Sequence, residues 1–133
     1  MPKPTPRPDV TAAELAVLEA LWDDQPATIR VLTDRLYPEG GTAHYATVQK
    51  LLERLEAKNY VRRQRSTVPH KFRARIDRGK LIANRLHDIA DSLCGGAVAP
   101  LLTHLVDGRR LGDDEVQALR DLIDRLDQAK ESR

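Results

Sequence analysis

The residues of this 133-residue chain that are best suited to chemistry are cations crowded into one segment, residues 42–78. The segment holds ten Lys/Arg against three Asp/Glu, a balance of +7, whereas the whole chain carries only +2. The positive charge is therefore concentrated rather than spread. Because apolar and basic residues alternate along the segment, we expect it to bind a polyanion, and the pattern favours duplex DNA.

The rest of the charge is divided unevenly along the chain. Residues 1–78 hold fourteen Lys/Arg and ten Asp/Glu, whereas residues 79–133 hold eight and ten. A basic front and a mildly acidic back are typical of a chain whose front contacts nucleic acid and whose back contacts protein. Aromatic residues make up only 4% of the chain, too few for a platform that stacks single-stranded bases.

Other classes of protein are disfavoured by composition. The longest apolar run, residues 97–102, contains a proline and cannot span a membrane, so no membrane insertion is expected. The N-terminus lacks the apolar core of a secretory signal, and the single Cys94 cannot form an internal disulfide, so we expect a cytoplasmic protein. The four histidines lack partners at metal-ligand spacing. We expect no metal, no cofactor and no enzymatic activity.

Three helices are predicted to position the basic segment. Thr11 begins the first, with Glu14 completing a capping box, and Thr28 caps a second helix that ends at Leu36. The third runs from about residue 45 to 58, and Asn59 is a plausible left-handed terminator. Its apolar residues recur at the helical spacing i, i+3, i+4, i+7: Val48, Leu51, Leu52 and Leu55.

A β-hairpin follows the third helix, because the periodicity changes from helical to alternating. Residues 61–65 and 71–76 are two alternating runs joined by a loop that contains a proline. Phe72, Ala74 and Ile76 are predicted to face the helices, and Lys71, Arg73 and Arg75 to face outward. Three helices followed by a hairpin predict a winged helix-turn-helix over residues 11–77. The preceding residues 1–10, rich in proline, are interpreted as a disordered arm, with a DNA-contacting arm as the alternative.

The remaining sequence predicts three more helices within residues 78–128, so the fold class is mostly α, followed by a disordered tail at 129–133. About fifty residues rarely form an adequate core alone, so we expect these helices to dimerise. The expected dimer contacts are the apolar stripes Ile82, Leu86, Ile89, Leu93, Leu101, Leu102, Leu105, Leu119, Leu122, Ile123 and Leu126. Cys94 is interpreted as a buried structural thiol, with a redox switch or an inter-chain disulfide as the alternative.

The candidate DNA contacts lie on the third helix and the hairpin. Gln bonds adenine at two points, Lys meets guanine acceptors, and the Thr methyl packs on thymine, while side chains at the helix start reach phosphates. The candidates are His44, Tyr45, Ala46, Thr47, Gln49, Lys50, Arg54, Arg63, Arg65, His70, Lys71 and Arg73. Arg62 and Arg75 are left with two interpretations, contact with DNA or pairing with Glu56 or Asp77.

Four stretches of this sequence resemble the penicillinase repressor family of winged-helix transcriptional regulators. They are DVTAAELAVLEALW, AHYATVQKLLERLEAKNYVRR, KFRARI and LGDDEVQALRDLIDRL, which together span residues 9–126. The resemblance implies a homodimer, joined through its C-terminal helices, that binds a dyad-symmetric operator and represses transcription. It also implies that Thr47, Gln49, Lys50 and Arg54 lie on the recognition face, with the wing on the flanking backbone.

The family's two induction patterns are not matched. Antibiotic-responsive members are cut through a membrane sensor-protease at an Asn-Phe pair, which would fall near His104-Leu105, where neither residue matches. Copper-responsive members carry paired C-terminal cysteines, and no cysteine follows Cys94. We therefore predict a sequence-specific repressor whose release mechanism stays open. The alternative is a winged-helix adaptor that docks an acidic protein without reading DNA sequence.

Overall fold

Residues 9–131 are described by the computed structural model, and two compact units divide them after Asp88. The elements of the first unit are α1 (Ala12–Asp23), β1 (Ala27–Thr28), α2 (Ile29–Leu36), α3 (Thr42–Ala57), β2 (Val61–Gln64) and β3 (Lys71–Ala74). They are followed by α4 (Arg78–Leu93), α5 (Ala99–Asp107) and α6 (Asp113–Glu131). The predicted fold class, a mostly α winged helix followed by C-terminal helices, is confirmed.

The helix ends of the first unit follow the predicted capping residues. Thr11 Oγ1 accepts a hydrogen bond from the Glu14 backbone N–H at 3.2 Å, and Thr28 Oγ1 accepts one from Val31 N–H at 3.2 Å. α3 starts at Thr42, earlier than predicted. Its C-terminal end is closed by Asn59, which adopts φ 69°, and by the 2.9 Å bond from Tyr60 N–H to the Leu55 carbonyl.

A third strand joins the predicted hairpin. β3 pairs antiparallel with β2 on one side and with the short β1 on the other, so the sheet order is β1-β3-β2. The sequence analysis did not predict β1, because two residues are too few to show an alternating pattern. Phe72 of β3 lies opposite both Ala27 and Arg63 and is 1% exposed, so it joins the sheet to the helical core.

The core of the first unit contains the predicted apolar stripes. The α3 stripe is buried throughout, and Phe72 and Ile76 are buried beside it while Ala74 is half-buried. The fully buried apolar side chains are Val17, Leu18, Leu21, Leu32, Val48, Leu52, Leu55, Val61 and Phe72. This packing fixes the face of α3 that points away from the core.

The first unit extends past the predicted domain boundary at residue 77, to Asp88. Leu81 of α4 is buried in the same core, and the Arg78 guanidinium lies over the Trp22 ring at 4.9 Å from the centroid. Arg85 of α4 pairs with Asp9 at 2.6 Å and donates to the Val10 carbonyl. The first turns of α4 therefore belong to the winged-helix unit.

The predicted disordered segments end differently in the structure. Within the predicted arm, residues 1–8 lie outside the described residues, but Val10 is buried in the core and Asp9 is tied to α4. Residues 9 and 10 therefore pack against the first unit, and the burial of Val10 favours this position. α6 continues through Glu131, so residues 129–131 of the predicted tail are helical.

A buried ion pair joins α1 to the end of α3. Lys58 Nζ lies 2.8 Å from each carboxylate oxygen of Glu14 and 2.6 Å from the Asp9 carbonyl oxygen. The Glu14 side chain is only 1% exposed. Removing one partner of a buried pair leaves an uncompensated charge, so Lys58 is needed wherever Glu14 is buried.

We expect Lys58→Met to lower the free energy of unfolding by about 2–3 kcal/mol, below the range for fully buried pairs because Lys58 is partly exposed. Urea denaturation measures this loss, and Lys50→Met, on the exposed face of α3, serves as the control. Equal stability of the two variants would contradict a stabilising role of the Lys58–Glu14 pair.

The second unit, Ile89–Arg133, has a different character. α4 ends where Gly95 and Gly96 adopt φ 59° and 88°, as the Gly-Gly pair predicts, and α6 carries three acidic residues in its first turn. No residue of α5 or α6 is buried. Within residues 9–131, no helix is long and apolar enough to cross a membrane.

Candidate nucleic-acid interface

The side of α3 opposite its buried stripe forms an exposed polar surface. Its members, Ala46, Gln49, Lys50, Glu53 and Ala57, with Thr47 and Arg54 at its edges, are all exposed, as predicted from the helical spacing. The side chains of Gln49 and Lys50 make no hydrogen bond or ion pair within the described residues, so their polar groups are available to a ligand. The Thr47 hydroxyl already donates to the Ala43 carbonyl at 3.1 Å.

The start of α3 is fixed by an aromatic stack. The His44 imidazole lies parallel to the Tyr37 ring, with 4.1 Å between centroids and 5° between planes, and it is half-buried. Gly41, at φ 121°, is the N-cap residue, and a Cβ there would lie 3.1 Å from the His44 ring. The positive φ favours glycine at this position, and a Cβ would also crowd the His44 ring. The sequence indicated that His44 could reach a phosphate but did not predict this stack, which joins α3 to Tyr37 at the end of α2.

Tyr45 lies beside His44 but is more accessible. It is 36% exposed, and the Arg30 guanidinium of α2 lies 5.4 Å from its ring centroid. Arg30, which the sequence analysis did not consider, is exposed and borders the α3 surface. The sequence did not indicate Arg30 as a candidate contact, because a single arginine in a short helix forms no recognisable pattern.

The outer face of the β2–β3 hairpin carries two arginines directly opposite one another. Arg62 of β2 pairs in register with Arg73 of β3, and Gln64 pairs with Lys71. Both arginines are exposed, and neither makes an ion pair within the described residues. Like charges directly opposite across strands repel, so this pair favours a bound anion. Arg62 was left with two interpretations in the sequence, and the structure pairs it with neither Glu56 nor Asp77.

The inner row of the hairpin is arranged differently from its outer face. The Arg63 guanidinium lies over the Phe72 ring at 5.0 Å from the centroid, and Arg63 is half-buried. Glu56 of α3 lies 3.8 Å from Arg63 Nε and 3.7 Å from Arg65 Nη2. Arg75, the other arginine with two interpretations, donates to Asn59 Oδ1 at 2.9 Å. On β2, Arg63 therefore contacts Phe72 and Glu56, whereas its neighbour Arg62 on the outer face makes no ion pair within the described residues.

The remaining predicted wing contacts differ in accessibility. Arg65 is well exposed, whereas His70 and Lys71 are half-buried at the start of β3. The structure therefore brings the predicted contacts together as two neighbouring groups, the exposed surface of α3 and the hairpin. Within residues 9–131, no group of three or more His, Cys, Asp or Glu side chains is arranged to hold a metal ion.

Comparison with known proteins agrees with this geometry. The family model described as penicillinase repressor matches residues 10–125, which include both units. The chain is 33% identical over 116 residues to the protein named transcriptional regulator BlaI in two strains of Mycobacterium tuberculosis, CDC 1551 / Oshkosh and ATCC 25618 / H37Rv. Each match covers 86% of this chain and 82% of the relative. The chain therefore belongs to the penicillinase repressor family of DNA-binding transcriptional regulators.

Proposed function

We propose that two copies of this chain bind a dyad-symmetric operator in duplex DNA and repress transcription by occupying it. The observation that carries the proposal is the exposed, unpartnered polar surface of α3 beside the free Arg62–Arg73 pair. A helix that offers hydrogen-bonding side chains next to a cationic hairpin matches what a duplex presents, base edges within a groove and phosphates along its rims.

In this proposal α3 reads the base edges. Gln49 lies in the first half of the sixteen-residue helix, the part that meets bases in helix-turn-helix proteins, and Lys50 follows it at the middle. Thr47 and Arg54 flank them on the same exposed surface. The burial of the opposite stripe prevents α3 from rotating about its axis, so these side chains are directed outward before DNA arrives. Preorganisation of this kind lowers the entropy lost on binding.

The hairpin supplies contacts with the phosphate backbone. Arg62 and Arg73 need a counter-charge, and phosphates provide it without carrying sequence information. We therefore assign Arg62, together with Arg73, to backbone contact, and Arg63 to the internal packing of the wing. The exposed Arg65 extends the same cationic surface toward the wing turn.

The second copy is proposed to assemble through the C-terminal helices. Three large apolar residues of α6 are well exposed: Leu122 by 39%, Ile123 by 57% and Leu126 by 57%. Exposed apolar surface of this kind is typical of a protein–protein interface. α5 and α6 line an open groove of about 340 Å³, whose apolar walls include Leu102, Leu105 and Leu119. Exposed Ile82, Leu86, Ile89 and Leu93 add a further apolar stripe on α4.

Dimerisation would raise the affinity of the protein for its operator. One reading unit neutralises few phosphates and meets few bases, whereas linking two makes the second binding event effectively intramolecular. Release would follow from anything that separates the C-terminal helices. His104 and Leu105 lie within α5 and differ from the Asn-Phe pair cut in family members, so cleavage by a sensor-protease is not part of the proposal.

The first experiment concerns base reading. A duplex selected by the wild-type chain from a randomised library is titrated beside a random duplex of equal length. We expect Gln49→Ala to weaken binding to the selected duplex by about 1–3 kcal/mol per half-site and to leave the random duplex nearly unchanged. Equal binding of both duplexes by the wild-type chain would contradict sequence reading and favour an adaptor.

The second experiment concerns the cross-strand pair. Arg62→Thr and Arg73→Thr should weaken binding to both duplexes alike and reduce the salt dependence by about one unit per phosphate contact removed. Each should also raise the melting temperature of the free protein slightly, because the repulsion is relieved. Arg120→Thr on α6 makes the same change in net charge and should alter neither property. An unchanged salt slope in the hairpin variants would remove them from the interface.

The third experiment concerns assembly. Leu86→Asp and Leu122→Asp should each convert the dimer to monomers in sedimentation equilibrium, because a buried unpaired carboxylate is costly. Both should weaken binding to the selected duplex at least tenfold as the linkage between half-sites is lost. Lys130→Gln near the end of α6 makes the same change in net charge and is the control. Unchanged sedimentation of both leucine variants would exclude these helices from a dimer interface.

A further inference from the structure

A carboxylate lies among the wing arginines, on the surface that would approach DNA. Glu56, in the last turn of α3, has Oε2 at 3.8 Å from Arg63 Nε and at 3.7 Å from Arg65 Nη2. Its side chain is 31% exposed, so its negative charge can act on an anion that approaches the surface. A carboxylate in this place repels phosphate, and on charge alone it should weaken the binding of DNA.

Arg63 anchors this cluster to the core. Its guanidinium lies over the ring of Phe72, which is 1% exposed, and its Nε is buried without a hydrogen-bond partner. An arginine stacked on a buried ring and desolvated on one side has little freedom to move. Glu56 lies between this packed cation and an exposed one, since the Arg65 side chain is 66% exposed.

Within the described residues, the backbone hydrogen bonds that connect α3 with the hairpin lie near the junction of α3 and β2. Tyr60 N–H bonds the Leu55 carbonyl at 2.9 Å, and Arg75 N–H bonds the Tyr60 carbonyl at 2.8 Å. Arg65 lies just beyond Gln64, the last residue of β2, where the wing turn leaves the sheet. Glu56 therefore links α3 to the wing turn through Arg65, which lies beyond the last pair of residues in the β2–β3 ladder.

We propose that Glu56 is a positioning residue, whose carboxylate holds Arg65 at a set distance from α3 so that the wing turn and the exposed surface of α3 fit one stretch of duplex DNA. This inference rests on the DNA-binding function proposed above. The charge of Glu56 opposes DNA binding, and the geometry it fixes favours binding because less conformational freedom is lost. Removing the charge of Glu56 should therefore weaken DNA binding if Glu56 positions Arg65, and should strengthen it if Glu56 acts only through its charge.

The test compares Glu56→Gln with Asp24→Asn. Asp24 is an exposed residue of the same unit that lies outside α3 and the hairpin, it makes no ion pair within the described residues, and its substitution changes the net charge equally. We expect Asp24→Asn to bind the selected duplex as tightly as the wild-type chain or more tightly, at one fixed salt concentration. We expect Glu56→Gln to bind it about threefold to tenfold more weakly. Glu56→Gln binding as tightly as Asp24→Asn would overturn the proposal.

A double-mutant cycle tests whether Glu56 acts through Arg65. Arg65→Gln should weaken binding in the wild-type background, and its effect should fall to less than half in the Glu56→Gln background. An equal effect in both backgrounds would overturn the proposal. The melting temperature of Glu56→Gln should stay within a few degrees of the wild-type value, and unfolding of this variant would show a structural role instead.

The DNA-reading function and the positioning role of Glu56 are tested separately. If the wild-type chain does not distinguish the selected duplex from the random one, the DNA-reading function itself is wrong. If the wild-type chain does distinguish them and Glu56→Gln binds at least as tightly as Asp24→Asn, only the positioning role is wrong.

Discussion

The structure of the first unit depends on how α3 packs. Val48, Leu51, Leu52 and Leu55 are 0–6% exposed, and they hold one side of the helix against α1, α2 and the sheet. A helix buried along one stripe cannot rotate without exposing apolar surface, at a cost of about 25 cal/mol per Å². The pair of Lys58 with Glu14 holds its C-terminal end, and the stack of His44 on Tyr37 holds its N-terminal end. The polar side is consequently presented as a fixed surface.

The sheet depends on the same helix. Because β2 begins directly after the closure of α3 at Asn59, the alternation of its side chains is set relative to the helix. Val61 and Arg63 fall on the inner row and Arg62 on the outer row. The inner Arg63 is partnered by Phe72 and Glu56, while Arg62 and Arg73 of the outer row make no ion pair within the described residues. The register of the hairpin thus separates a cation that packs inside the wing from two that are exposed.

Much of this organisation was predictable from the sequence, because periodicity reports which side of an element is buried. The α3 stripe, the capping threonines and the inward row Phe72, Ala74 and Ile76 were predicted from spacing alone. The two-residue β1 and the burial of Val10 left no pattern to find. Nor could spacing decide which arginine Glu56 approaches, because that choice depends on the twist and register of the hairpin. Within the described residues Arg62, left open in the sequence, makes no ion pair, whereas the predicted contact Arg63 is half-buried and stacked on Phe72.

Hydroxyl-radical footprinting of the selected duplex tests the central claim most directly, since it reports backbone protection and symmetry together. A dimer that places one α3 and one wing on each half-site should protect two backbone segments related by a dyad. Their centres should be separated by about 10 base pairs or a multiple of this helical repeat. A single protected segment, or uniform protection along the duplex, would contradict reading by a symmetric pair of winged-helix units.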